Sequence, residues 1–423
     1  MFKFLHTADI HLDSPLLNLN KYDDSPREEF RSATRRAFDN IVELAIAEEV
    51  RFVLVAGDLY DGDCSDFNTP LHFRRRMLEL QSHDIRVFLI HGNHDAASSM
   101  KKAFRLQLPD NVQFFRTDKP ETKILEDIQV AIHGQGFAQK VVEDDLSKNF
   151  PDPVHGYINI GMLHTNCGAR DGHDRYAPST VNGLQSRGYD YWALGHIHKY
   201  WGEIGPRPWI IYPGNPQGRH IGETGKRGVV IATVDGDRID RKRHYVDVAR
   251  WYHVVVDAED CDDADGVVTH VLKCIESDTA ESAAMPLAVR LDIQGTTPAH
   301  GDLCRQREVR DREIREEVLN RFDERIWVEK IKFRTRAPLT AESSQVDSAM
   351  QEFARSLDAP DLVEFARDEL RAEFEKMLTS LPHDVRLPAS DLDLENQQAM
   401  DVLVKDAQQL LVARVLSSGG TGR

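Results

Sequence analysis

Residues 87–96, VFLIHGNHDA, decide how the chain is read. Val87 to Ile90 form a short apolar run suited to a strand entering a core. Gly92 then turns the chain and sets Asn93, His94 and Asp95 side by side. One such cluster is a polar turn; its meaning changes when other strands end the same way. HTADIH closes the first strand with Asp9 and His11, and VLVAGDLYDGD closes the next with Asp58, followed by Asp61 and Asp63. INIGMLHTN supplies His164, and YWALGHIH supplies His196 and His198. In α/β sheets, ligands gather beyond the carboxyl ends of strands. Five strand ends delivering carboxylate, amide or imidazole therefore point to one converging site.

The rest of the first 250 residues supports that layout. Strand candidates FKFLHTA, RFVLVA, VFLI, QVAIHG, INIGML, YWALG, WIIY and GVVIATV are interleaved with amphipathic helices. Between the first two, Phe30, Ala33, Ala37, Ile41, Leu44 and Ala45 fall at helical spacing, and TPLHFRRRMLELQSHD makes a helix before VFLI. The expected fold class is a layered α/β sandwich, two sheets flanked by helices, over residues 1–250. The rhythm then changes to strand, helix, strand, charged helix and strand, a small α+β capping domain over 251–338. A helical C-terminal region, 345–423, carries one apolar stripe through Leu362, Ala366, Leu370, Phe374 and Met377. A second runs through Met400, Val404, Ala407, Leu411 and Val415.

At 423 residues the chain exceeds one ordinary core, and its 41% hydrophobic and 29% charged content is that of a globular protein. No apolar run suggests a membrane span, and the start reads as a strand rather than a signal peptide. Five cysteines without CxxC spacing argue against a disulfide framework and fit a reducing cytoplasm. The net charge of −17 lies mostly late in the chain. Residues 251–423 carry 21 basic and 35 acidic side chains, against 32 and 35 in residues 1–250. Such acidity counts against nucleic-acid binding in general, but residues 201–250 hold 9 basic and 6 acidic side chains, enough for a local track.

The donors suit one chemistry. Carboxylate, amide and imidazole without thiolate favour Mn²⁺, Fe or Zn²⁺. Asp9 and His11, like His196 and His198, stand two residues apart, and extended backbone would aim each pair to one side. There are more donors than one ion needs and about enough for two if a carboxylate bridges. Two ions roughly 3.5–4 Å apart can activate water and clamp phosphate oxygens in an in-line displacement. Phosphoester hydrolysis needs that combination.

These motifs, D-x-H, G-D-x-x-D, G-N-H-D, a later His and G-H-x-H, resemble those of the calcineurin-like metallophosphoesterases. Within that superfamily, LHTADIHLDSPL, VLVAGDLYD, HGNHD, LGHIHK and YPGNPQGRHIGE look like the SbcD and YhaO group of bacterial DNA-repair exonucleases. The resemblance implies two divalent cations, Mn²⁺ being the expected metal. One would sit on Asp9, His11, Asp58 and His198, and the other on Asp58, Asn93, His164 and His196. It gives His94 the scissile phosphate and the leaving oxygen, with Asp95 orienting that ring. Asp61 matches the second Asp of its motif and receives no role. The resemblance further implies DNA as substrate, a homodimer, and an SMC-like (SbcC-like) ATPase partner docked on the C-terminal helices. No GxxxxGK[ST] occurs in the chain, so that ATPase would be a separate polypeptide.

Other polar groups have plainer readings. His6, His91, His133 and His155 are expected in core or turns, and Arg74 to Arg76 on a solvated helix face. His173 and His220 lie in glycine-rich loops. Arg170, Lys199, Arg207, Arg219, Lys226 and Arg227 are candidates for a phosphate track, with Tyr200, Trp201 and Trp209 among them as packing or stacking rings. Two rival functions remain: an esterase for phosphoproteins, cyclic nucleotides or small diesters, and a scaffold subunit with a vestigial site.

Overall fold

In a computed structural model of the chain, the residues described are 1–14, 30, 32–61, 68–96, 107–168, 177–205, 207–338, 352–353, 355–357, 359–380, 400–401, 403–405, 407–408 and 411. Asp63, Cys64, Arg170, His173 and Val415 of the second C-terminal stripe lie outside them. The chain divides into two compact units. One comprises residues 1–254, 275–291 and 318–330; the other comprises 255–274, 292–317 and 331–423.

The first unit begins β1 (Phe2–Thr7), α1 (Ala33–Ala47), β2 (Phe52–Ala56), α2 (Asn68–Ser82), β3 (Arg86–Ile90), β4 (Val112–Phe114), β5 (Glu121–Leu125), β6 (Val130–Gln135) and β7 (Ile158–His164). After a short pair, β8 (Asn166–Cys167) and β9 (Pro178–Ser179), come α3 (Val181–Ser186), β10 (Tyr191–Gly195), β11 (Trp201–Ile204) and β12 (Trp209–Tyr212). A hairpin of β13 (Gly228–Asp235) and β14 (Arg238–Tyr245) follows. Two six-stranded sheets result, ordered β14-β13-β1-β2-β3-β4 and β11-β12-β10-β7-β6-β5. In the first, β1, β2, β3 and β4 run parallel; in the second, β6, β7, β10 and β12 do.

The central strands are apolar along their whole length because both faces are covered. In β2, Val53 and Val55 point to a core shared with Phe38 and Ile41 of α1 and with Phe73 and Met77 of α2. Phe52, Leu54 and Ala56 point the other way, to a core shared with Ile132, Ile160, Met162 and Tyr191 of the second sheet. A third core covers that sheet's outer side, where Leu163, Trp192, Leu194 and Ile210 meet Leu184 of α3. Each fully buried Phe or Leu contributes about 1.5–3 kcal/mol, so a strand of this kind cannot slip by one residue without exchanging two cores. The layered α/β sandwich, with helices on both outer faces, is thus the fold observed.

Strand β14, RIDRKRHY, was not anticipated. Its side chains are mostly charged because it is a sheet edge, although the Gly236-Asp237 turn before it is a hairpin signal. The chain continues with β15 (Arg250–Asp257), α4 (Ala264–Thr279), β16 (Leu287–Thr296), α5 (His300–Arg305), α6 (Arg307–Phe322) and β17 (Ile326–Arg336). The three strands form one sheet in that order. Further along the second unit comes α7 (Pro360–Ser380), whose Arg367 pairs with Asp401 at 2.5 Å. No helix among the described residues is long and apolar enough to cross a membrane.

Candidate metal centre

The loops after β1, β2, β3, β7 and β10 bring the seven donor side chains together. The loop after β1 continues its pairing with the loop after β2 through Asp9 N–H to Gly57 O (3.1 Å), His11 N–H to Asp58 O (3.0 Å) and Leu12 N–H to Leu59 O (2.8 Å). Across the two sheets, His196 N–H donates to both oxygens of Asp9 at 3.0 and 3.1 Å. The convergence is close enough to require glycine. A Cβ on Gly92 would stand 2.2 Å from Asp58 Oδ1, and one on Gly195 would stand 1.9 Å from Ala56 O.

The backbone that aims these groups is not extended, contrary to the two-residue alternation read from the sequence. Asp9 (φ 51°), His11 (φ 46°), Asp58 (φ 51°) and His196 (φ 99°) all lie at positive φ, past the last residue of their strands. Such conformations cost of order 1–3 kcal/mol each for non-glycine residues and collect at functional sites. The surrounding hydrogen bonds and cores hold them.

Two clusters share Asp58. In one, His11 Nε2 lies 3.3 Å from His198 Nε2 and 3.9 Å from Asp58 Oδ2, and His198 Nε2 is 4.0 Å from Asp9 Oδ1. In the other, His164 Nε2 is 3.0 Å from Asn93 Oδ1 and 3.4 Å from Asp58 Oδ2, while His196 Nδ1 is 3.3 Å from Asn93 Oδ1. Ligands that share an ion at about 2.1 Å stand roughly 3–4 Å apart, so this donor set fits divalent cations. Imidazole nitrogens facing one another and two buried carboxylates make little sense as a hydrogen-bonded core. Asp9, His11, Asp58 and His164 are each at most 1% exposed. Burial lifts the Asp9 carboxyl above its usual range. At Asp58 burial acts the same way, but the His164 charge and hydrogen bond outweigh it and hold that carboxyl well below the range. Burial likewise favours a neutral His164 ring, yet Asp58, and Asp9 further off, carry its pKa up to about 9. A cation seated there would take the place of that proton. His164 Nδ1 donates to Ala56 O at 2.9 Å, which turns Nε2 to the cluster.

His94 stands at the open side of the site, its ring edge-on to His11 at 4.9 Å. Its partner is not Asp95, as expected, but Asp61: Nδ1–H donates to Asp61 Oδ1 at 2.6 Å. Asp95 is 2% exposed and spends its oxygens on backbone, accepting from Gly92 N–H (2.7 Å), Leu59 N–H (2.8 Å) and Asp58 N–H (3.3 Å). It laces the loops after β2 and β3 together and cannot also reach the ring. Burial and the neighbouring Asp58 charge push its pKa up to about 7, against the Gly92 and Leu59 amide donors. Asp61 also accepts from Ser14 Oγ (2.7 Å) and Arg219 Nη1 (3.2 Å). The hydrogen bond from His94 holds the Asp61 carboxyl low, and Asp61 in turn raises His94.

Of the described cations considered for a phosphate track, Arg219 reaches Asp61 at the open side of the site. Arg227 is buried beneath the clusters, donating to Asn215 Oδ1 at 2.9 Å, while Lys226 pairs with Glu281 at 2.7 Å and Arg207 with Asp190 at 3.6 Å. Trp209 packs under Arg241 at 3.8 Å. Arg76 is not simply solvated, since it bridges α2 to Asp39 of α1 at 3.1 Å. Buried His6 and His133 make core hydrogen bonds to Tyr191 and Asn159. Glu223, the last residue of the YPGNPQGRHIGE stretch and given no role there, lies 2.5 Å from His198 Nδ1.

Two layered sheets with this donor cluster at their strand ends define a metallophosphoesterase. Residues 2–200 match the family model described as calcineurin-like phosphoesterase, and residues 251–336 match that of the metallophosphoesterase YhaO middle domain. The chain is 31% identical over 300 residues to the uncharacterized metallophosphoesterase YhaO of Bacillus subtilis, covering 70% of this chain and 72% of that one. It is 24% identical over 244 residues to the DNA double-strand break repair protein Mre11 of Methanopyrus kandleri, covering 51% and 49%. A dimetal phosphatase of Danio rerio superposes with a TM-score of 0.36 at 13% identity, over 58% of this chain and 96% of that one. The chain belongs to the calcineurin-like metallophosphoesterases.

Proposed function

We propose that the protein is a two-metal DNA phosphodiesterase, most simply an exonuclease of DNA repair or end processing. The observation that carries the chemistry is the pair of donor clusters sharing Asp58. In this reading Asp9, His11, Asp58 and His198 hold one ion, and Asp58, Asn93, His164 and His196 the other, with Mn²⁺ the expected metal. Bound ions would polarise the phosphodiester and supply an activated water. The chain's own part is to orient them. Asp9 is fixed by the His196 amide, His164 by Ala56 O and His198 by Glu223. His94, half-buried and with its pKa raised by Asp61, is set to stabilise the phosphate oxygens and protonate the leaving oxygen. Arg219, tethered to Asp61 and Ser14, adds a positive group beside the phosphate position.

DNA as the substrate is supported by the likeness to a protein named for double-strand break repair and by the arginine beside the site. The β15–β17 region would act as a capping domain. The α7 surface, with Leu362 40% and Phe365 61% exposed, would dock an SMC-like ATPase; a cytoplasmic homodimer completes the reading. The test is a time course on end-labelled linear duplex DNA with Mn²⁺, run beside a chromogenic diester. Mn²⁺-dependent shortening of DNA is expected. Cleavage of the chromogenic diester alone would assign a small-molecule esterase, and cleavage of neither with no metal uptake would assign a scaffold.

A further inference from the structure

Glu223 lies outside the five motifs, yet its hydrogen bonds run toward the metal centre. Its side chain is buried, the residue being 4% exposed. Oε1 is 2.5 Å from His198 Nδ1 and 3.4 Å from His220 Nε2. Oε2 accepts from Arg219 N–H at 2.7 Å and Asn215 Nδ2 at 2.9 Å. Asn215 cannot turn over to relieve that contact. Its Nδ2 also donates to Gln217 O at 2.7 Å, and its Oδ1 accepts from Arg227 at 2.9 Å.

With Oε2 taken by the Arg219 and Asn215 donors, Oε1 is the oxygen that faces the His198 ring, and a carboxylate beside a ligating histidine accepts its N–H. His198 must therefore carry its hydrogen on Nδ1, facing Oε1. That leaves the Nε2 lone pair directed to the cluster, where His11 Nε2 lies at 3.3 Å and Asp9 Oδ1 at 4.0 Å. The same carboxylate holds the amide of Arg219, whose guanidinium reaches Asp61 at 3.2 Å. We infer that Glu223 is a positioning residue that selects the His198 tautomer able to ligate a divalent cation, and sets the loop carrying Arg219. This rests on the reading of His198 as a metal ligand.

Glu223→Gln separates positioning from space-filling. The amide keeps the shape, but only its oxygen can face the Arg219 and Asn215 donors. Its NH₂ then faces His198 Nδ1, which must accept, so the hydrogen moves to Nε2 and blocks the ligand position. The experiment is long-range ¹H–¹⁵N NMR of the full chain labelled with ¹⁵N-histidine and freed of metal, followed by Mn²⁺ titration calorimetry. His198 is identified by the signal missing in His198→Gln. The expected result is an Nδ1–H tautomer in the wild type and an Nε2–H tautomer in Glu223→Gln. The variant should bind one Mn²⁺ roughly 10–100-fold more weakly, with an unchanged melting profile before metal is added. An Nε2–H tautomer in the wild type overturns the inference, whether or not the variant folds. So does an Nδ1–H tautomer with wild-type Mn²⁺ affinity in the variant. A tautomer switch in a chain that takes up no Mn²⁺ would uphold the positioning of His198 and overturn the two-metal reading instead.

Discussion

Asp61→Asn isolates the electrostatic work done on His94. In the native chain the two side chains meet at 2.6 Å, the imidazole 41% and the carboxylate 29% exposed. A buried hydrogen bond to a charged group contributes about 1.5–3 kcal/mol. Solvent screening at this exposure reduces the charge contribution to about 1 kcal/mol. The sign follows from the direction of the shift. Asp61 favours the protonated ring and raises its pKa, so removing the charge lowers it. If the protonated ring serves the leaving oxygen, activity is present below that pKa and lost above it. The alkaline limb of kcat should therefore move to lower pH in Asp61→Asn. The assay is a pH–rate profile from about 6 to 9.5 with saturating Mn²⁺ on a dinucleotide, whose alkoxide leaving group needs a proton. A p-nitrophenyl diester, which needs none, should show a smaller displacement. An alkaline limb that stays in place or moves upward, with Mn²⁺ content unchanged, would refute the role given to the pair.

Three further outcomes are expected. His94→Ala should retain its full complement of Mn²⁺ by elemental analysis while losing about 10²–10⁴ in turnover of the dinucleotide. Gly92→Ala, whose Cβ would stand 2.2 Å from Asp58 Oδ1 and 2.8 Å from Asp58 N, should fold with reduced stability and lose metal uptake. His6 is fully buried between Tyr191 and Leu194 O, and burial drives its pKa down to about 3. Between pH 6.5 and 3 the unfolded chain takes up a proton there that the folded chain refuses. Urea melts of the metal-free protein should thus lose about 1 kcal/mol of stability per pH unit in that window, with a shallower slope in His6→Gln.

What the sequence revealed and what it concealed have physical reasons. The sandwich was legible because central strands such as FVLVA and YWALG are buried on both faces and carry unbroken apolar runs. Edge strand β14 was not, since a charged edge has no such pattern. The donors could be listed from motifs because each follows a strand directly. The turn that aims them could not, because positive φ at His11 and His196 is imposed by neighbouring chains and not by residue type. The same limit explains Asp95 and Asp61. The resemblance implied that Asp95 orients His94, but the tight turn at Gly92 points Asp95 into backbone amides and leaves the ring to a residue 33 positions earlier. Glu223 was hidden for a similar reason, being 25 positions from the histidine that it holds.

The central claim is that Asp58 joins two metal positions. Anomalous diffraction from crystals of the full chain soaked in Mn²⁺ tests it most directly. Two peaks roughly 3.5–4 Å apart, one bounded by Asp9, His11 and His198, the other by Asn93, His164 and His196, with Asp58 between, are expected. A single peak, or two that do not share Asp58, would contradict the account.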